Sequence, residues 1–262
     1  PSLKLRSQNS GWKRCSNLSS QSQGGFRRSE TIANGFIMIT FDHIAVGAAS
    51  LMDGLEWIEE TLHMKIPAGG KHDQMGTHNH VISSGDDTYL EIIAKDPLAP
   101  TKEQATWFGL DDPRTELSLY KSPRVISWVC RTENINRTLR LLENLGIDTD
   151  FGNPKNMSRG NLQWKFSLRK DGLIPLWGSA PIFIEWADNS KHVSQDMGDE
   201  GLKFEHLHID TPHKNALQNL LWTLDFTDAR ISISQSKDTC LTATYKLKNG
   251  KKVSINQRDV RN

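Results

Sequence analysis

Two carboxylates sit in the middle of apolar, strand-like runs. Glu91 is centred in Tyr89-Leu90-Glu91-Ile92-Ile93-Ala94, and Glu185 in Ile182-Phe183-Ile184-Glu185-Trp186-Ala187. A carboxylate flanked by apolar neighbours must face water, a cavity or a cation, because burying it alone is costly. His43 lies in a third alternating run, Phe41-Asp42-His43-Ile44-Ala45-Val46. Imidazole is the side chain best suited to exchanging protons at physiological pH, so beside the carboxylates His43 could move protons or help hold a metal. The bland alternative is a pair of cavity carboxylates balanced by Arg159 and Lys165. Arg159 carries the planar fork that suits a carboxylate or phosphate. His78/His80 and His206/His208 are each two residues apart, so each pair shares one strand face and could bind metal.

Hydrophobic periodicity supplies the elements that hold these groups. Ile39–Val46 reads as a strand, and Ser50 caps a helix containing Leu51, Leu55, Ile58 and Leu62. Gly69-Gly70 reads as a turn, Thr77–Ser83 as a strand, Gly85-Asp86-Asp87 as a hairpin and Tyr89–Ala94 as the closing strand, giving βαβββ. The order then repeats. Val125–Arg131 is a strand, and Thr132 caps a helix with Ile135, Leu139, Leu142 and Leu145, ended by Gly146. Asn161–Leu168 and Pro181–Ala187 follow as strands. A shift of 84 residues lays His43 on Ser127, and one of 94 lays Glu91 on Glu185. A third βαβββ pass starts at Lys203, with a helix through Leu217, Leu220, Leu221 and Leu224 and strands near 229–235, 240–247 and 251–256. The expected organisation is an α+β fold of repeated modules: 38–96, a connector at 97–123, 124–190, and a C-terminal module at 201–257.

Strand alternation then assigns sides. Leu162, Trp164, Phe166 and Leu168, with Ile182, Ile184 and Trp186, are expected under the helix. The open face would hold His43, Tyr89, Glu91, Ser127, Arg159, Gln163, Lys165, Phe183 and Glu185. A three-residue hairpin loop pairs Val81 with Glu91 and turns Asn79 inward, matching Asn161 in the repeat. So many polar groups on one face suggest a small-molecule cavity.

The chain of 262 residues has a net charge of +1, which gives no basic footprint for nucleic acid. No apolar run approaches the roughly 18 residues of a membrane span. Three widely spaced cysteines, Cys15, Cys130 and Cys240, make no disulfide framework and fit a reducing compartment such as the cytoplasm. Residues 1–37 carry six basic groups and one acid among many Ser and Gln, which suggests disorder. They read either as leader sequence upstream of a natural start at Met38 or as an organelle transit peptide, which would place the protein in an organelle matrix.

The repeated βαβββ order with a His in the first strand and a Glu in the last resembles the vicinal-oxygen-chelate superfamily (glyoxalases, bleomycin-resistance proteins and extradiol dioxygenases). Within it, the chain is most similar to the glyoxalase-like domain family. The resemblance spans roughly 38–256 and rests on Phe41–Gly47, Met75–Asn79, Tyr89–Ala94, Trp107–Leu110, Met157–Gly160 and Phe183–Trp186. It implies paired modules whose sheets curl around a small-molecule site, with no nucleotide cofactor. Carried over, it makes His43, Glu91 and Glu185 catalytic residues and ligands of a divalent metal (Mn, Fe, Ni, Zn or Mg). Ser127 stands where the fourth ligand, a His, would be, which points away from classical glyoxalase I and extradiol dioxygenase. Substrate contacts would come from Asn79, Tyr89, Ser127, Arg159, Gln163, Lys165 and Phe183. The implied activities are a lyase or isomerase acting on a small oxygenated anion, or metal-free sequestration of a small molecule. A homodimer is a further expectation.

Overall fold

A computed structural model describes residues 37–143, 145, 150–187 and 192–256. The leader expected at 1–37 lies outside the described residues up to 36. So do Gly146 and the module boundaries at 190 and 257.

The first module runs β1 (Ile39–Gly47), α1 (Leu51–Leu62), β2 (Ala68–His72), β3 (Thr77–Ser83) and β4 (Tyr89–Lys95). Ser50 caps α1 by accepting a bond from the Asp53 amide at 3.2 Å. The connector holds a 3-10 turn at Trp107–Gly109 and α2 (Pro113–Lys121), which Asp112 caps. The second module repeats the order: β5 (Arg124–Thr132), α3 (Ile135–Glu143), β6 (Asn153–Arg159), β7 (Leu162–Leu168) and β8 (Ile182–Trp186). The first turn of α3 is capped by Asn134, whose Oδ1 accepts from the Arg137 amide at 2.9 Å. Thr132, the expected cap, instead accepts from the Asn134 amide and bonds Thr138.

These strands form one sheet in the order β2-β3-β4-β1-β5-β8-β7-β6. β1 and β5 pair antiparallel at its centre, and each runs parallel to the last strand of its own module. The sheet curls until its two edges approach. A Cβ built on Gly70 of β2 would lie 3.1 Å from Cδ of Arg159 on β6. Gly69 and Gly70 are therefore strand residues and not a turn. Their bare backbone admits the Asn79 amide, which a Cβ at Gly69 would strike at 2.2 Å, and the Arg159 stem.

The C-terminal segment comprises β9 (Lys203–Thr211), α4 (Lys214–Thr223), β10 (Ile231–Gln235), β11 (Cys240–Lys246) and β12 (Lys252–Ile255). It has the element order of the other two modules but a different sheet, β10-β9-β11-β12. Its first strand pairs parallel with its second strand, where the others pair their first with their last. Its inner face packs against the outer, helix-bearing face of the large sheet, with Phe204 stacked on Phe41 at 4.3 Å. Each face of the large sheet is thus covered: the outer by α1, α3 and the second sheet, the inner by its own curl.

That double burial reverses the sides expected in the second module. Trp164, Phe166, Ile182 and Ile184 belong to the cluster inside the curl with Ala45 and Ile93, while Phe183 joins the outer core beside Phe151. Apolar alternation reports which residues share a face. It cannot say which face is the cavity when both are dry.

Candidate active site

His43 enters the curl from β1, and its ring stacks on Tyr89 of β4, the residue paired with it across the parallel ladder (centroids 4.2 Å apart, planes 22° apart). A β-bulge separates the pairs Phe41–Cys130 and His43–Val129, so Asp42 is the extra residue. A bulge breaks strict alternation. Asp42 can therefore reach its own neighbour: Oδ1 lies 2.6 Å from His43 Nδ1. Its other oxygen accepts from Trp186 Nε1 and His192 Nε2, both at 3.0 Å. Asp42 is fully buried. Burial pushes its carboxyl up, but the hydrogen bonds from His192 and His43, with their charge, more than reverse this and hold it well below the usual carboxylate range. An ionised Asp42 assigns the Nδ1 proton to His43 and leaves Nε2 facing the cavity.

Across from Nε2, at 3.6 Å, lies Glu91 Oε2. The hairpin register pairs Val81 with Glu91 and turns Asn79 inward, as the three-residue loop requires. Asn79 is bonded at both ends. Nδ2 donates to Glu91 Oε1 at 2.6 Å, and Oδ1 accepts from the Gly70 amide at 3.0 Å and from Arg159 Nη1 at 3.1 Å. His72 of β2 completes this wall. Its Nδ1 is 3.0 Å from Thr77 Oγ1, and its Nε2 faces two donors, Arg159 Nη1 at 3.4 Å and Asn79 Nδ2 at 3.5 Å. Nε2 must therefore be the unprotonated nitrogen. Burial, with the Arg159 cation adding to it, lowers the His72 pKa to about 3, so the ring is neutral.

The remaining wall is aromatic. Trp107, from the connector's 3-10 turn, anchors its indole N–H on Thr77 Oγ1 at 3.1 Å, and Trp164, Phe166 and Trp186 complete the lining. Val193, on the turn that follows His192, also lines the space. The free volume inside the walls is about 40 Å³, and the space opens to solvent at its mouth. His43, Asn79, Tyr89, Glu91 and Arg159 all line it.

The other expected site residues are elsewhere. Glu185 points out of the curl: Oε2 accepts from the Ile135 amide at the start of α3 at 2.7 Å, and Oε1 pairs with Lys165. It serves an orphan amide of a helix N-terminus. Lys165 and Gln163 line a separate surface groove with Glu185. Phe183 is core. Ser127 is paired with Ala45 on the concave side but is wholly buried, its hydroxyl donating to the Trp128 carbonyl at 3.3 Å. The expected three-residue metal set therefore does not fit: Glu185 lies on the opposite face of the sheet, and the Arg159 guanidinium and the Asn79 amide approach where further ligands would have to stand. Among the described residues, no group of three or more His, Cys, Asp or Glu side chains is placed to hold a metal ion. Sequence reasoning missed Asp42, His72, His192 and the cavity role of the tryptophans. Only Asp42, adjacent to His43, carried any signal.

The model of the glyoxalase-like domain matches residues 41–224. No curated protein matches the sequence. Among solved structures, a hypothetical protein from Staphylococcus aureus shares the fold, with a TM-score of 0.52 and 15% identity over 85% of this chain and 87% of its own. Methylmalonyl-CoA epimerase from Mycobacterium tuberculosis is similar at 16% identity over 56% of this chain and 85% of its own, with a TM-score of 0.36. The Streptomyces coelicolor epimerase, an S115T variant bound to 2-nitronate-propionyl-CoA, is similar at 15% identity over 58% and 96%, with a TM-score of 0.36. No described helix is long and apolar enough to cross a membrane. With the family model covering most of the chain and a repeated βαβββ sheet curled around the cavity, the chain belongs to the glyoxalase-like domain family.

Proposed function

We propose that this protein is an acid–base enzyme, an isomerase or lyase, acting on a small oxygenated anion. The observation that carries the reading is His43, tethered to ionised Asp42 through Nδ1 and presenting Nε2 to Glu91 across 3.6 Å of cavity. Asp42 orients the imidazole and stabilises it once protonated. His43 Nε2 takes the substrate proton and Glu91 is the second proton carrier. The Arg159 guanidinium, braced by Asn79, binds the anionic group, and the aromatic wall keeps water from the reacting carbon. Homodimerisation remains part of the proposal and is read by sedimentation.

The test is hydrogen exchange. Small 2-hydroxy and 2-oxo acids are incubated with the protein in D₂O and followed by proton NMR. Deuterium should enter the carbon next to the carbonyl, and His43→Gln and Glu91→Gln should each slow it by about 10²–10⁴-fold. Tight binding without exchange would replace the enzyme reading with small-molecule sequestration. A stoichiometric metal in the purified protein, lost in both variants, would restore a metal-centred mechanism.

A further inference from the structure

The second sheet has an outer face that the cavity does not use. Leu207, Ile209, Leu241 and Ala243 point into the core, so His206 and His208 point outward from β9. Ser232 of β10 pairs with His208 in the parallel ladder. Its hydroxyl oxygen lies 2.7 Å from His206 Nε2 and 2.8 Å from His208 Nδ1. A hydroxyl has one proton and can donate it to only one of these nitrogens. Two ring nitrogens thus converge on one small, half-exposed group. The opposite nitrogen of His208, Nε2, is 3.4 Å from Asp210 Oδ1. A carboxylate behind a ligating imidazole fixes its tautomer and raises its basicity. On the other side, Thr242 and Thr244 are paired with His208 and His206, short polar residues that leave room for coordinated water.

We infer that His206 and His208 form a surface site for a borderline divalent transition metal (Zn²⁺, Ni²⁺ or Cu²⁺), with Asp210 as the orienting carboxylate. Imidazole pairs suit these ions over Mg²⁺ or Ca²⁺, which want oxygen. Two protein ligands are supplied, and water fills the remaining positions. The site is independent of the acid–base reading of the cavity.

The test uses the full chain made without an affinity tag, titrated by calorimetry with each metal alone at about pH 7.5, where free imidazole is neutral. One equivalent should bind, Cu²⁺ tightest. His206→Asn and His208→Asn should each weaken binding at least tenfold, Asp210→Asn by about tenfold, while His63→Asn, an exposed histidine after α1, should change nothing. Circular dichroism confirms that each variant folds. Absence of binding with all three metals, or an isotherm unchanged when His206→Asn and His208→Asn are combined, would overturn the assignment.

Discussion

Replacing Asp42 by Asn tests the core of the site in one step. The carboxylate receives three N–H groups: His43 on one oxygen, Trp186 and His192 on the other. An amide has a single acceptor oxygen. The indole N–H can only donate, so that oxygen stays with Trp186 and His192, and the new NH₂ group meets His43 Nδ1. The imidazole must then accept at Nδ1 and carry its proton on Nε2, which removes the lone pair facing Glu91. Two costs follow. Stability falls by about 3 kcal/mol, because charge-assisted bonds worth roughly 1.5–3 kcal/mol each become neutral or are lost inside a dry site. Proton transfer falls by about 10²–10⁴-fold, the range for losing a positioned base. Urea unfolding reads the first, and ¹⁵N chemical shifts of the His43 ring read the tautomer directly. A variant within about 1 kcal/mol of the parent, with His43 still protonated at Nδ1, would show that Asp42 does not set the His43 tautomer.

Glu185→Ala should cost about 1 kcal/mol, the worth of a helix N-terminal acceptor, and leave ligand binding and exchange unaltered. Loss of function at unchanged stability would return Glu185 to the active site. His72 gives a pH signature. Its folded pKa of about 3 lies below the unfolded value near 6.5, so between these limits the unfolded chain binds more protons. Stability therefore falls as pH drops from 6.5 toward 3, by at most about 1.4 kcal/mol per unit. Urea midpoints for His72→Gln should show a shallower slope between pH 6.5 and 4.5. Identical slopes would mean that the buried ring is not neutral.

Much of the molecule was legible in its sequence. The double βαβββ order followed from periodicity, and the hairpin register from three loop residues, which was enough to bring His43, Asn79 and Glu91 to one face. Four things escaped for physical reasons. Covering both faces of the sheet made sidedness in β7 and β8 unreadable, and with it the place of Glu185. The bulge at Asp42 broke the alternation that sequence reading depends on. Gly69 and Gly70 looked like a turn because glycine marks both turns and close backbone approach, and this hid His72 two residues on. His192 sits on an aperiodic segment where no pattern exists to read.

The three bonds of Asp42 also set an order of events. Its partners Trp186 and His192 follow it by 144 and 150 residues. Contacts of that span form late, after loop closure has been met by nearer pairings. During synthesis the first module can emerge with β1, β3 and β4 complete while the Asp42 carboxylate still lacks two of its three donors. The second module and the segment beyond it must arrive before the carboxylate has all its donors. Assembly of the reactive group is thereby tied to completion of most of the chain, and a nascent or truncated product ending before residue 186 would carry His43 beside an Asp42 without the Trp186 and His192 donors that fix the carboxylate.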